Sequence, residues 1–140
     1  GLGWGLPMAM GAKLARPNAP VICVVGDGGF GHVWSELETA ARSGIAVTLV
    51  VINNGILGFQ KHAEQLKFKT HTSAVDFAPV DHAAIARASG CIGLRVEDPA
   101  ELASALAVAT RASTTTVLDV VCDPEAFPPL TFFNARHAQV

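Results

Sequence analysis

No stretch of this chain concentrates lysine or arginine, and no apolar run approaches the roughly eighteen residues that a membrane-spanning helix requires. The first absence argues against a nucleic-acid partner, the second against an integral membrane helix. No signal-peptide pattern opens the sequence. Cys23, Cys91 and Cys122 are scattered, without CxxC or Cys/His spacing. An odd count of such thiols fits buried residues in a reducing compartment better than disulfides or a zinc site, so the expected location is cytosolic. No Ser/His/Asp or Cys/His arrangement marks a nucleophile, and no internal repeat is visible. Charge is also scarce, at 16% of residues with a net charge of −2, whereas 50% of the 140 residues are hydrophobic. That length suits one domain with a sizeable core. So oily a composition predicts that part of its surface lies beneath a neighbouring domain or subunit.

The informative stretch runs from Val21 to Phe59. Val21 to Val25 is a short β-branched run that breaks at Gly26-Asp27-Gly28-Gly29, where glycine permits a tight turn and a close backbone approach. Val33, Leu37, Ala40 and Ala41 then recur at helical spacing, and Gly44 ends that helix. Ala46 to Ile52 is a second apolar run, stopping at Asn53-Asn54. Strand, helix and strand of these lengths predict a right-handed crossover with parallel strands, which sets Asp27 and Asn54 side by side on one rim. A carboxylate, an amide oxygen and, after the turn at Gly55, the carbonyl of Ile56 suggest three oxygen ligands for a hard divalent cation such as Mg²⁺. The amides of the glycine turn and of a helix start at Phe30 to Val33 would cradle phosphate, and a diphosphate suits the site.

Gly26-Asp27-Gly28-Gly29-Phe30-Gly31 is also a literal G-x-G-x-x-G after a strand, the pattern of dinucleotide-binding folds. Against that reading, the second strand ends on two asparagines rather than on an acid for the ribose, and an aspartate inside the turn would repel a pyrophosphate unless a cation lay between them. The cation reading accommodates both features. A structural glycine turn beside a polar loop would explain either motif alone, but not both at this separation.

At these residues the chain resembles the thiamine diphosphate (ThDP) enzymes of the acetolactate synthase and pyruvate decarboxylase superfamily, whose signature of GDG, helix, strand and NN is matched by Gly26-Asp27-Gly28 and Asn53-Asn54. The resemblance runs from Gly1 to about Pro129 and corresponds to the diphosphate-binding domain, incomplete at its N-terminus, with 130–140 as an irregular tail. It implies that Asp27, Asn54 and the Ile56 carbonyl hold Mg²⁺, that Gly28, Gly29, Leu57 and Gly58 line the diphosphate, and that Gly26 and Phe59 also lie against the cofactor. Aligning Pro7 and Asp27 without gaps places Leu2 at the apolar wedge that bends the cofactor. The glutamate that activates the aminopyrimidine belongs, in the family, to another domain, usually of a partner subunit. The implied activity is decarboxylation of 2-oxo acids, first of all with acetolactate synthase-type carboligation of pyruvate, as in branched-chain amino acid biosynthesis; a decarboxylase of the benzoylformate or pyruvate type is the alternative, and a nucleotide-binding oxidoreductase domain or a noncatalytic binding module the readings from other classes. The resemblance also implies a homodimer or tetramer and leaves open FAD in a middle domain. The opening at Gly1, without an initiator Met, predicts a segment of a longer protein.

The remaining chain reads as alternating helices and strands. A glycine-rich start precedes a helix from about Pro7 to Ala15, where Trp4 is expected to pack. Gln60 to Pro79 reads as a polar irregular loop over the substrate, with His62 and His71 as weak candidates for substrate contacts and without the tryptophan many family members carry there. Asp81 caps a helix to Ser89 with His82 in its first turn, and Ile92 to Val96 is a strand. Asp98 to Glu101 forms a capping box ahead of the stripe Leu102, Ala105, Leu106 and Ala109. Thr116 to Val121 is the last strand, followed by a proline-rich tail that contains His137. His32 is expected to reach the cofactor or to pack locally. The predicted fold class is α/β, a parallel sheet with helices on both faces.

Overall fold

A computed structural model describes residues 1–126. Among these, β1 (Ile22–Gly26), β2 (Thr48–Asn53), β3 (Ile92–Val96) and β4 (Thr116–Val121) form one parallel sheet in the order β1-β2-β4-β3. The helices are α1 (Gly5–Ala15), α2 (Asp27–Phe30), α3 (Glu36–Arg42), α4 (Gly58–Phe68), α5 (His82–Ala88) and α6 (Leu102–Ala109). Strand alternation divides the core into two layers. Leu49, Val51 and Val117 pack with Leu6 and Ala9 of α1, Leu37 and Ala40 of α3 and Ala86 of α5. Val50 and Leu118 pack with Ala105, Leu106 and Ala109 of α6. β2, interior and parallel, is buried on both sides over most of its length, which explains its unbroken Val/Leu/Ile composition.

The α/β class and the helices on both faces agree with the sequence, but coverage is unequal. Among the described residues only α6 packs as a helix on the second layer, and Ile22 and Val24 of edge strand β1 stay 53% and 65% exposed. Two glycines set how closely the layers approach. A Cβ on Gly5 would collide with Val25, and one on Gly93 with the Ala83 carbonyl.

Three local expectations need correction. The turn after β1 is itself one helical turn, α2. Residues 31–35 continue through bonds such as Val33 N–H to Phe30 O (2.9 Å) and Glu36 N–H to Val33 O (3.1 Å), and α3 begins only at Glu36. Glycine at positions 28, 29 and 31 weakens a continuous helix there. The segment expected to be an irregular loop from Gln60 to Pro79 instead forms α4, followed by a 3₁₀ turn at Ser73–Val75. Its Gln, Lys, Ala, Glu and Leu residues are good helix formers, but its apolar positions Phe59, Ala63 and Leu66 face the cleft rather than the core, and Lys61 is its only buried residue. Trp4, expected to pack, is 66% exposed, because α1 turns Leu6, Ala9 and Met10 inward instead.

Other local chemistry follows the sequence. The Asp81 carboxylate accepts the Ala84 N–H at 2.7 Å, capping α5, and Gly90 ends that segment at φ +82°. Asp98 accepts the Ala100 N–H at 2.9 Å ahead of a 3₁₀ turn, Pro99–Glu101, that feeds α6. Cys91 is buried, whereas Cys23 and Cys122 are half-buried, and all three are free. No helix among the described residues is long and apolar enough to cross a membrane. The proline-rich tail and His137 lie outside the described residues.

Candidate cofactor cleft

The parallel crossover brings the C-terminal ends of β1 and β2 together, with Gly26 in register with Ile52. Above them opens a cleft of about 630 Å³. On the β1 side it is lined by Gly26, Asp27, Gly28 and Gly29, with Leu2 from the N-terminal loop. On the β2 side it is lined by Asn54, Ile56, Leu57, Gly58 and Phe59. The residues that the resemblance assigns to metal or cofactor therefore line one cavity, whereas Phe30 to Val33 do not line it.

Asp27 is 6% exposed. Its Oδ1 accepts the N–H of Gly28 at 2.8 Å and its Oδ2 accepts that of Gly55 at 2.7 Å, so one carboxylate ties the first turn to the second. Burial pushes its pKa above the ordinary carboxylate range despite the pull of these amides. A buried carboxylate held short of full charge compensation is a place where a cation is favourable. Gly55 has φ +69°, a conformation glycine adopts without strain, and this turn carries the chain from Asn54 to Ile56. The Asn54 Oδ1 accepts the Ile56 N–H at 3.3 Å.

These residues fit a hard cation bound together with an anionic ligand. Among the described residues no three His, Cys, Asp or Glu side chains cluster, so a soft or all-protein metal cage is not built here. One carboxylate with neutral amide and carbonyl oxygens is the donor type that Mg²⁺ uses when phosphates and water complete its shell. The glycines serve different ends. A Cβ on Gly28 would lie 2.7 Å from Leu57 Cδ2 and 3.2 Å from the Phe77 ring, so a larger residue there would require Leu57 to shift, whereas at Gly29 the nearest atom is Leu2 Cδ2 at 3.8 Å. Gly29 thus leaves bare backbone to the cleft beneath Leu2.

The opposite wall comes from α4, where Gln60, His62, Ala63 and Leu66 join Phe59, and Ala126 closes the end. Phe59 is 77% exposed. The Lys61 ammonium, on the buried side of the helix, reaches Glu125 at 2.7 Å and ties α4 to the segment after β4. His71 does not line this cleft; it lies 3.6 Å from Asp76. His32 is exposed and faces a smaller adjoining cavity of about 360 Å³.

Two buried polar residues beneath the cleft were not recognised from sequence. Asp119, fully buried on β4, accepts the Asn53 Nδ2 and the Arg95 Nη1, each at 2.8 Å, and the His82 N–H at 3.0 Å. His82 is 2% exposed, its ring 5.5 Å from Phe30 and 5.7 Å from Trp34, and burial holds its imidazole below the usual value. A charge within Thr-Val-Leu-Asp-Val-Val was the one visible sign of the first, and no sequence signal marked the burial of the second.

Residues 1–120 match the family model described as the thiamine pyrophosphate enzyme, C-terminal TPP binding domain. The chain belongs to this family. Family membership replaces the nucleotide-binding oxidoreductase alternative. Among curated relatives it is similar to the acetolactate synthase of Bacillus subtilis (strain 168), 41% identical over 125 residues that make up 87% of this chain and 21% of that protein. It is also similar to the probable acetolactate synthase large subunit of Methanococcus aeolicus, 35% identical over 127 residues, 89% of this chain and 21% of the relative. Among solved structures, the Rhodococcus jostii RHA1 thiamine diphosphate-dependent 4-hydroxybenzoylformate decarboxylase superposes with a TM-score of 0.82 at 30% identity, over 87% of this chain and 23% of that one. The chain thus spans about a fifth of the length of the curated relatives it matches.

Proposed function

We propose that this chain is the ThDP- and Mg²⁺-holding part of a longer enzyme acting on 2-oxo acids, of the acetolactate synthase type. The observation that carries the proposal is the meeting of Asp27, Asn54 and Ile56 with Gly28 and Gly29 on one cleft at the ends of β1 and β2, in a member of the thiamine pyrophosphate family. In this reading Asp27, Asn54 and the Ile56 carbonyl hold Mg²⁺, and Gly26, Gly28, Gly29, Leu57, Gly58 and Phe59 hold the cofactor. Leu2, lying over Gly29, is the wedge beneath its rings. Bound ThDP supplies a nucleophilic carbon that permits decarboxylation of a 2-oxo acid. The chain's own residues anchor the diphosphate, neutralise its charge through the ion and present the α4 wall to the substrate. A further domain, of the same or a partner subunit in a homodimer or tetramer, supplies the activating glutamate. The exposed apolar residues Ile22 and Val24, together with Trp4 and Met8, support burial against such neighbours. The free thiols support a cytosolic setting.

A decarboxylase is the second reading, and the apolar α4 wall with Phe59 and Leu66 favours it, as does the likeness to a 4-hydroxybenzoylformate decarboxylase. Product analysis of the complete enzyme, given ThDP and Mg²⁺ with pyruvate and separately with benzoylformate, tests both. Acetolactate from pyruvate supports the first reading; aldehyde alone supports the second; no ThDP-dependent turnover of either contradicts both.

A further inference from the structure

Resting on the reading of the cleft as a Mg²⁺–ThDP site, we propose that Asp119 and Asn53 are positioning residues for that site: Asp119 holds Asn53, and Asn53 fixes where the next residue, Asn54, meets the metal. Asp119 lies in β4 in register with Val51 of β2 and Arg95 of β3, and it is fully buried. Its Oδ1 accepts the Asn53 Nδ2 at 2.8 Å, and its Oδ2 accepts the His82 N–H at 3.0 Å and the Arg95 Nη1 at 2.8 Å. The same Asn53 Nδ2 donates to the Val80 carbonyl at 3.1 Å, and the Asn53 carbonyl accepts the Cys122 N–H at 2.8 Å. The last residue of β2 is therefore held through both side chain and backbone. Two residues later, the Gly55 N–H donates to Asp27 Oδ2 at 2.7 Å. Asn54 lies between a fixed point on β4 and a fixed point on the proposed metal carboxylate.

Stability alone is a weak reason for a carboxylate here. Burying a charge costs several kcal/mol before its partners offset it, and well-packed apolar residues in place of a buried ion pair are often neutral or stabilising. The neighbours Val117, Leu118 and Val120 are apolar. An apolar residue at 119, however, would leave the Asn53 side chain with only the Val80 carbonyl. Groups that orient metal ligands typically govern affinity by about ten- to a hundredfold without touching the ion.

The test uses the complete enzyme and two readouts, the Mg²⁺ dissociation constant at saturating ThDP by calorimetry and the melting temperature. Asp119→Asn keeps the shape but leaves one acceptor oxygen for three donors. Asn53→Ala removes the donor from a half-buried position without opening the core, and it decides the question if Asp119→Asn does not fold. Arg95→Gln is the control, since it removes a partner of Asp119 Oδ2 and leaves the Oδ1 bond to Asn53 in place. The inference expects about a tenfold or greater weakening of Mg²⁺ binding in Asp119→Asn and Asn53→Ala. It expects Arg95→Gln to lower the melting temperature with Mg²⁺ affinity retained. Unchanged affinity in the first two variants, whatever their melting temperatures, would overturn it and leave Asp119 a structural carboxylate. An unaltered enzyme without Mg²⁺-dependent ThDP binding would instead overturn the cofactor reading, and this inference with it.

Discussion

The two walls of the cleft are built in opposite ways. The wall at the ends of β1 and β2 is fixed by short hydrogen bonds that buried carboxylates accept, Asp27 from the amides of Gly28 and Gly55 and Asp119 from the Asn53 side chain and the His82 N–H. The α4 wall buries only Lys61, whose partner Glu125 is 63% exposed, and turns Phe59 and Leu66 outward. An ion pair whose carboxylate is open to solvent contributes little, on the order of 1 kcal/mol, so this wall is held less firmly. On the proposed reading the contrast is a division of labour: a wall set by the sheet suits an anchor for the diphosphate and its ion, whereas a helix presenting exposed apolar side chains suits contact with the substrate.

The comparison breaks first at Asp27. Asp27→Ala in the complete enzyme is expected to abolish cofactor retention, weakening Mg²⁺-dependent ThDP binding by more than about a hundredfold, because the only charged ligand proposed for the ion is lost. Calorimetric titration of apoenzyme checks this, and near-normal affinity would place the ion elsewhere. Asn54→Ala should act in the same direction, more weakly.

Leu2→Ala comes next. A wedge should lower kcat by about ten- to a hundredfold while changing the ThDP dissociation constant little, since misplacing reacting groups by about 1 Å has costs of this order. A fall in melting temperature and affinity together, with kcat at saturating ThDP unchanged, would make Leu2 a packing residue. On the α4 wall, Leu66→Ala should raise KM for the 2-oxo acid several-fold with little change in kcat or in ThDP affinity, the pattern of lost uniform binding. If ThDP affinity fell instead, Leu66 would belong to the anchor.

The smallest expected effect is on pH dependence. Burial favours the neutral imidazole of His82, so below about 6.5 the unfolded chain binds a proton that the folded chain resists. Stability from this group is fully present above that pH and falls as pH drops through the window toward the depressed folded value. His82→Leu should therefore flatten the melting-temperature profile as pH falls below about 6.5. Asp27, whose pKa is raised, contributes with the opposite sign at lower pH, its share being lost as pH rises above 3.8. An unchanged slope in the variant would show that His82 titrates as it does in the unfolded chain.

Much of this was legible because it is local or follows from handedness. Asp81 as a cap and the strand Ile92–Val96 follow from side-chain chemistry and period, and the pairing of Asp27 with the Asn54 turn follows once two parallel strands share a crossover. The loop-or-helix error over 60–68 arose because the apolar positions of α4, Phe59, Ala63 and Leu66, are set among polar residues and face the cleft rather than the core. Asp119 was missed for a different reason. Its three donors come from β2, α5 and β3, elements separated along the chain by 24 to 66 residues, so no local window contains the network that makes the charge tolerable.

On the proposed reading the ends of β1 and β2 form a metal anchor for ThDP. The most direct test is to load the complete enzyme with ThDP and Mn²⁺ and to locate the ion in a crystal by its anomalous scattering. A single peak is expected in each cleft, bounded by the Asp27 carboxylate, the Asn54 amide oxygen and the Ile56 carbonyl; a peak away from these three, or none with ThDP in place, would rule the anchor out.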